Sequence, residues 1–184
     1  MYTIRLFDSS VNEAEMLEFM TTHKSSLDRK IDTLNKYHEK LAGIVSETET
    51  FYEHMSELSL TSGSYLLAAV LYDNNPIGFS SAIIERQELL IERLYVDEGH
   101  RLGNVAKTLY EALVSLTEPA SVKAFCVAQN KKGCGFFEST GFVINHDESN
   151  NRCKVFEKKP QQEDFILNEI PREYSQHQEG YRSY

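Results

Sequence analysis

The stretch from Ile91 to Leu113, IERLYVDEGHRLGNVAKTLYEAL, gathers residues whose types and spacing suit the holding of an anion. A β-branched and aromatic run ends at Val96, a short polar segment crosses Asp97 to Asn104, and a helical pattern opens with Ala106 on its inner side. The first turn of a helix exposes backbone N–H groups without intrahelical partners, and the aligned peptide dipoles place about half a positive charge there. Phosphate is the natural occupant of such a terminus. Gly103 lets the backbone come close to a ligand, and Ala106 keeps side-chain bulk out of the way. Taken alone, a glycine-containing strand, loop and helix is more often a plain connection than a ligand site. Cys126, Cys134 and Cys153 match no spaced zinc pattern, so no metal site is expected. Three thiols cannot all pair, and they read as the reduced cysteines of a cytosolic protein.

Those residues need a frame, and 184 residues suffice for one compact domain with trimmings. A chain of this size buries roughly 70% of the surface its unfolded form exposes, so it needs no disulfide or metal staple. Its 28 acidic against 19 basic residues give a net charge of -9. That field repels phosphate backbones, so nucleic acid is a poor partner. It attracts cations, which points to polyamines, aminoglycosides and amine-bearing peptides, although an acidic balance also serves solubility alone. No run of 18 apolar residues occurs, and Met1 to Asp8 lacks a basic start followed by a hydrophobic stretch. Neither a membrane partner nor a secretory signal is expected, and the chain reads as cytoplasmic.

Tyr2 to Phe7 reads as an edge strand, followed by a helix from Asn12 to His23 with Ser10 and Glu13 as a capping box. A second helix opens near Ser26, its apolar stripe made by Leu27, Ile31, Leu34, Leu41 and Ile44. Asp28, Arg29, Lys30, Lys36, Glu39 and Lys40 fall on the other side and read as a solvated face. Glu47 to Leu60 is weakly helical, and Glu47, Glu49, Glu53 and Glu57 read as exposed. Tyr65 to Ile84 is two apolar runs around Asp73, Asn74, Asn75 and Pro76, which is hairpin composition. Glu88 to Val96 follows as a third strand after a short polar link at Arg86 and Gln87. Then come a helix from Val105 to Leu116, a strand from Ser121 to Gln129, a short helix from Gly133 to Ser139 and a last hairpin, Gly141 to Asn145 with Arg152 to Glu157. The order is mixed α+β, with helices on both faces of one mostly antiparallel sheet. After Pro160 the composition turns to Gln, Glu, Asp and scattered Tyr. Residues 1–159 are therefore expected to form the domain, and 160–184 an acidic extension that is partly docked and partly disordered.

The strand, loop and helix resemble the acyl-CoA-binding motif of the GNAT superfamily of N-acetyltransferases. There, a strand ending in Val is followed after five residues by Arg or Gln and then by xxGxG/A. Here Val96 is followed by Arg101, Leu102, Gly103, Asn104, Val105 and Ala106, with Asn104 where the family carries its middle glycine. Asn is the residue that best replaces Gly at positive φ. Asn130 to Phe142, NKKGCGFFESTGF, is similar to the family's NxxAxxFYEKxGF in Asn130, Phe136, Glu138, Gly141 and Phe142. The hairpin at Pro76, Ile77, Gly78 and Phe79 resembles the family's GxxVGF strand pair, so the likeness covers about Tyr65 to Glu157.

The resemblance implies a single GNAT-like domain that moves an acetyl group from acetyl-CoA, as co-substrate, to an amine. The backbone of Leu94, Tyr95 and Val96 would pair with the pantetheine arm, and Arg101 to Lys107 would hold the pyrophosphate. Asn130 would meet the arm's far end, and Lys107, Lys131 and Lys132 lie where a cation meets the 3′-phosphate. Glu92 stands where many relatives carry a working carboxylate and is the expected base; pairing with Arg93 or a solvent-facing position is its ordinary alternative. The tyrosine that usually protonates the leaving thiolate is replaced by Phe137, leaving Cys134, Ser139 or Tyr110 as substitutes, or a thiolate that leaves unaided. His100 reads as a solvated loop histidine. The acceptor is expected to be a small cationic molecule or peptide, contacted by the N-terminal helices, the Asp97 to His100 approach and the acidic tail, and dimers are frequent in such folds. A catalytically weak module that binds CoA or a protein partner without turnover is the alternative, raised by Phe137 and Asn104 together.

Overall fold

The computed structural model describes residues 1–42, 50–59, 63–101 and 104–161. Expectations for Ile44, Glu47, Glu49, Leu60, Leu102, Gly103 and the extension beyond residue 161 fall outside the described residues. Along the chain run β1 (Tyr2–Asp8), α1 (Ser9–Thr22), α2 (Lys24–Ala42), α3 (Phe51–Ser59), β2 (Ser64–Tyr72), β3 (Asn75–Glu85) and β4 (Glu88–Val96). After a 3-10 turn at Glu98–His100 come α4 (Val105–Thr117), β5 (Ser121–Val127), α5 (Lys131–Ser139), β6 (Val143–Asn145) and β7 (Cys153–Lys158). The strands form one seven-stranded sheet in the order β1-β2-β3-β4-β5-β7-β6, with β1 at one edge. Every pairing in it is antiparallel except β4 with β5.

Strands covered on both faces should read as continuous apolar runs, and β2 does, with seven consecutive buried residues. Ile4, Leu66, Ala68 and Val70 face α4, while Phe7, Leu67, Ala69 and Phe79 pack among α1, α2 and α3. The sheet therefore separates two apolar layers, as the sequence pattern implied. Two-residue turns join β2 to β3 and β3 to β4, with positive φ at Asp73, Asn74, Arg86 and Gln87. Such turns match the twist of the strands they connect.

Several local expectations are corrected. Asp8, not Ser10, caps α1: its carboxylate accepts from the Ser10 N–H at 2.8 Å. The expected partner Glu13 accepts instead from the Tyr65 hydroxyl at 2.6 Å, and Asn12 is non-helical where the chain bends. A capping box does form at α3, where the Thr50 N–H donates to Glu53 at 2.7 Å and the Glu53 N–H to Thr50 Oγ1 at 3.1 Å. Asp28 accepts from the Phe51 N–H at 2.8 Å, so α2 and α3 are stitched by a residue that the helix pattern assigned to solvent. Lys30 belongs to that solvated set too, yet it is 3% exposed. His100 is not in open solvent: its Nδ1 lies 3.2 Å from the Tyr2 hydroxyl and its ring contacts Tyr2 and Tyr72.

His54, on α3 and 4% exposed, shares a 2.7 Å hydrogen bond with Ser81 Oγ. Burial, aided by Arg93, pushes its pKa from 6.5 down to about 3. Below pH 6.5 the unfolded chain takes up a proton that the folded chain refuses, so stability falls with pH. At about 1.4 kcal/mol per pH unit, the loss reaches about 2 kcal/mol by pH 5. Urea melts at pH 7 and pH 5 should show it, with a flatter dependence in His54→Gln.

Candidate active site

Two irregularities in the sheet build the site. The first is a β-bulge: Ser81 pairs with Arg93 and Ala82 with Ile91, so Glu92 is the extra residue of β4. A bulge bends its strand and re-aims a side chain. The second is an interrupted parallel pair. The β4–β5 register runs only from Glu88↔Ser121 to Ile91↔Ala124, although β4 continues to Val96 and β5 to Val127. Beyond that point the strands diverge, and a cavity of about 390 Å³ lies between them.

The walls of the cavity come from five elements. Residues from Ile91 to Val96 line one side, and Phe125 and Cys126 of β5 line the other. Asn130, Gly133, Phe136 and Phe137 enter from α5 and its N-cap, and Thr33, Leu34, Tyr37 and His38 from α2. Arg101 and Ala106 close the end nearest α4. A second cavity of about 380 Å³ shares Arg101, Ala106 and Phe136 and adds Asn104, Lys107, Thr140 and Lys158. The two form one groove that passes the amino end of α4.

At that end Asn104 is the N-cap residue with φ 58 and ψ 9, the left-handed conformation its position in the motif requires, and its side chain makes no capping hydrogen bond. The first-turn N–H groups of α4 have no intrahelical acceptor. Arg101 Nε donates to the Val96 carbonyl at 3.0 Å, which draws the loop back over the end of β4. Close packing also constrains β3 beneath: a Cβ at Gly78 would stand 2.9 Å from the Tyr95 carbonyl and 3.3 Å from Val105.

Glu92 lines the cavity, and burial raises its carboxyl pKa above the ordinary 4.5 against a smaller opposing effect of Arg93. Burial, with Arg93 again, lowers His38 below 6.5. Asn130 is first of all a helix cap, its Oδ1 accepting from the Gly133 N–H at 2.9 Å; the Tyr37 hydroxyl donates to the same oxygen at 3.4 Å.

The substitutes for the missing tyrosine do not line the cavity. Tyr110 is 1% exposed and packs against Phe142. Ser139 lines the second cavity and donates to the Phe136 carbonyl at 2.9 Å. Cys134 is buried, 3.6 Å from Cys126 Sγ. Phe137 itself is at the wall, stacked on Phe156 with ring centroids 5.2 Å apart. Lys107 and Lys132 border the groove, and Lys107 pairs with Glu111 at 3.4 Å. Lys131 is exposed and lines neither cavity. Sequence reasoning missed Lys158, whose Nζ donates to the Thr140 carbonyl at 2.9 Å, and it named the N-terminal helices as the acceptor's contact without singling out Thr33, Tyr37 or His38. No group of metal-ligating side chains occurs among the described residues.

The profile of the acetyltransferase (GNAT) domain matches residues 31–155. The chain belongs to the GNAT acetyltransferase family. This GNAT chain also shares its fold with a GNAT-family acetyltransferase from Staphylococcus aureus Mu50, with a TM-score of 0.64 and 14% identity, over 86% of this chain and 99% of that one. PaiA N-acetyltransferase from Thermoplasma acidophilum, solved with coenzyme A, gives 0.56 and 19%, over 85% and 99%. The ribosomal-protein-S18-alanine N-acetyltransferase from Escherichia coli gives 0.54 and 14%, over 85% and 91%. At such identities the likeness speaks for the fold alone. No curated protein matches the sequence of this GNAT chain.

Proposed function

We propose that this protein transfers an acetyl group from acetyl-CoA directly to an amine held at the α2 end of the cleft. The observation that carries the reading is the divergence of β4 from β5 beside the amino end of α4, where the N-cap side chain makes no capping hydrogen bond. The β5-facing backbone groups of Leu94, Tyr95 and Val96 would pair with the amides of a pantetheine arm as an added strand would. The first-turn N–H groups of Val105, Ala106 and Lys107, the backbone of Leu102 to Asn104 and the Arg101 guanidinium receive the pyrophosphate. Lys107, Lys132 and Lys158 border the groove where the nucleotide's phosphates would lie. Asn130 orders the start of α5 against the far wall.

The acceptor's amine must be neutral to attack, and an alkylammonium with a pKa of about 10.4 is deprotonated only a few times in roughly ten thousand at pH 7. Glu92 removes that proton, directly or through water. The amine then bonds to the acyl carbon, the carbon–sulfur bond breaks, the electron pair leaves with the CoA thiolate, and the surplus proton on the new amide nitrogen passes to water. Phe137 offers no proton, so the thiolate leaves unaided; an ordinary thiol acidity, with a pKa of about 8.5, makes that feasible. The substrate class we favour is a small cationic molecule or a peptide amine, in keeping with the net charge of -9. We assign residues 1–159 to the transferase domain and residues 160–184 to an appended extension. Phe137 also favours a second reading, a module that binds CoA without turnover.

Thiol release from acetyl-CoA over a panel of polyamines, aminoglycosides and peptides, run beside calorimetric titration of CoA, tests both. Heat together with thiol release is expected. Heat without release selects the binding module, and silence in both assays ends the acetyl-CoA assignment.

A further inference from the structure

Lys30 is the residue whose surroundings depart furthest from its sequence pattern. Its side chain is 4% exposed, and its Nζ lies 2.8 and 2.6 Å from the two carboxylate oxygens of Asp97. It also stands 5.7 Å from the centre of the Tyr95 ring, within cation–π range. A buried ammonium needs such a partner, yet a well-packed apolar residue commonly gives equal stability, so an ion pair here is better explained by what it aligns.

Asp97 directly follows β4, its N–H donates to the Ile77 carbonyl at 2.8 Å, and its carbonyl accepts from His100 N at 2.9 Å. It therefore anchors the turn that leads into Arg101. One helical turn beyond Lys30, α2 presents Thr33 and Leu34 to the cleft, and a turn later Tyr37 and His38. The same helix reaches Arg93 through Asn35 at 3.2 Å and Asn130 through Tyr37 at 3.4 Å. A single rigid element thus touches both lips of the cleft.

We propose that Lys30 and Asp97 are positioning residues that couple the two substrate sites, by tying the acceptor wall on α2 to the loop that grips the nucleotide. The inference rests on the acetyl-CoA reading above. Occupation of the loop fixes Asp97, Asp97 fixes Lys30, and α2 is then held in register for the amine. Coupling of this kind is reciprocal, so an acceptor on α2 tightens the grip on the cofactor.

Hydrogen exchange of the wild-type protein, Lys30→Met and Asp97→Asn, each with and without free CoA, tests the coupling. In the wild type, CoA is expected to slow exchange both in the first turns of α4 and along α2. Lys30→Met keeps the apolar stem of the side chain and leaves Asp97, with its side chain 33% exposed, in reach of water. It should retain the slowing in α4 and lose it in α2, and Asp97→Asn should do the same. Should Asp97→Asn fail to fold, Lys30→Met alone decides. A merely structural ion pair would lower the melting temperature of the variants and leave the CoA response of α2 intact, which would overturn the proposal. Protection of α4 without protection of α2 in the wild type would overturn it as well. If CoA slows exchange at neither helix, the acetyl-CoA reading fails and takes the coupling with it.

Discussion

Glu92→Gln is expected to lower kcat by roughly 10² to 10⁴, the usual worth of a general base, while leaving the KM for acetyl-CoA nearly unchanged. The substitution keeps shape and hydrogen-bonding capacity at the bulge and removes only the proton acceptor. The sign of the pH dependence follows from the environment of the group. As the proposed base, Glu92 would work only when ionised, and burial raises its pKa above 4.5, so activity is expected to fall on acidification at a higher pH than an exposed carboxylate would impose. That acidic limb should vanish from the kcat profile of Glu92→Gln. A variant with full turnover and an unaltered limb would assign the base elsewhere, and His38 on the facing wall becomes the next group to replace.

Ala106→Glu should separate cofactor binding from folding. Ala106 is the second residue of α4 and lines both cavities, so a carboxylate there meets the region assigned to the pyrophosphate. Like charges brought together in a binding site cost several kcal/mol, and about 3 kcal/mol corresponds to roughly 100-fold in affinity. In the free protein, by contrast, an acidic residue in the first turn of a helix is stabilising by about 0.3–1 kcal/mol. The expected result is a CoA dissociation constant raised by about two orders of magnitude, with a melting temperature that is unchanged or higher. Undiminished affinity would move the diphosphate away from this helix.

How much of this was legible depended on the range of the interactions involved. The strands from Ser64 to Val96 and α4 followed from local pattern, because a hairpin and an apolar stripe are each set within a few residues, whereas the left-handed turn at Asn104 followed from the resemblance, which puts Asn in place of a glycine. The placement of Glu92 needed more. A bulge exists only relative to a partner strand, and nothing in ELLIERLYV says that Ser81 and Ala82 will flank an extra residue. Lys30 shows the limit most clearly. On helical periodicity it sits among charged neighbours, and the carboxylate that draws it inward lies 67 residues further along the chain. His100 was misjudged for the same reason, since Tyr2 is its partner across 98 residues. The cleft-facing side of α2 was only partly legible: Leu34 lies on the apolar stripe, whereas Thr33, Tyr37 and His38 line a void rather than a core and no stripe marks them.

The short β4–β5 pairing has a mechanical consequence. The sheet is two leaflets, β1 to β4 and β5 to β7, whose direct strand contact is a seam of only four residue pairs. Seams of this kind open first in native-state fluctuations, because few backbone hydrogen bonds must break together. A ligand lying along the gap sews the leaflets together, and at a hundredfold excess over its dissociation constant it adds about 2.7 kcal/mol of stability. The empty protein should therefore breathe along this line, and a loaded one should melt as a single unit.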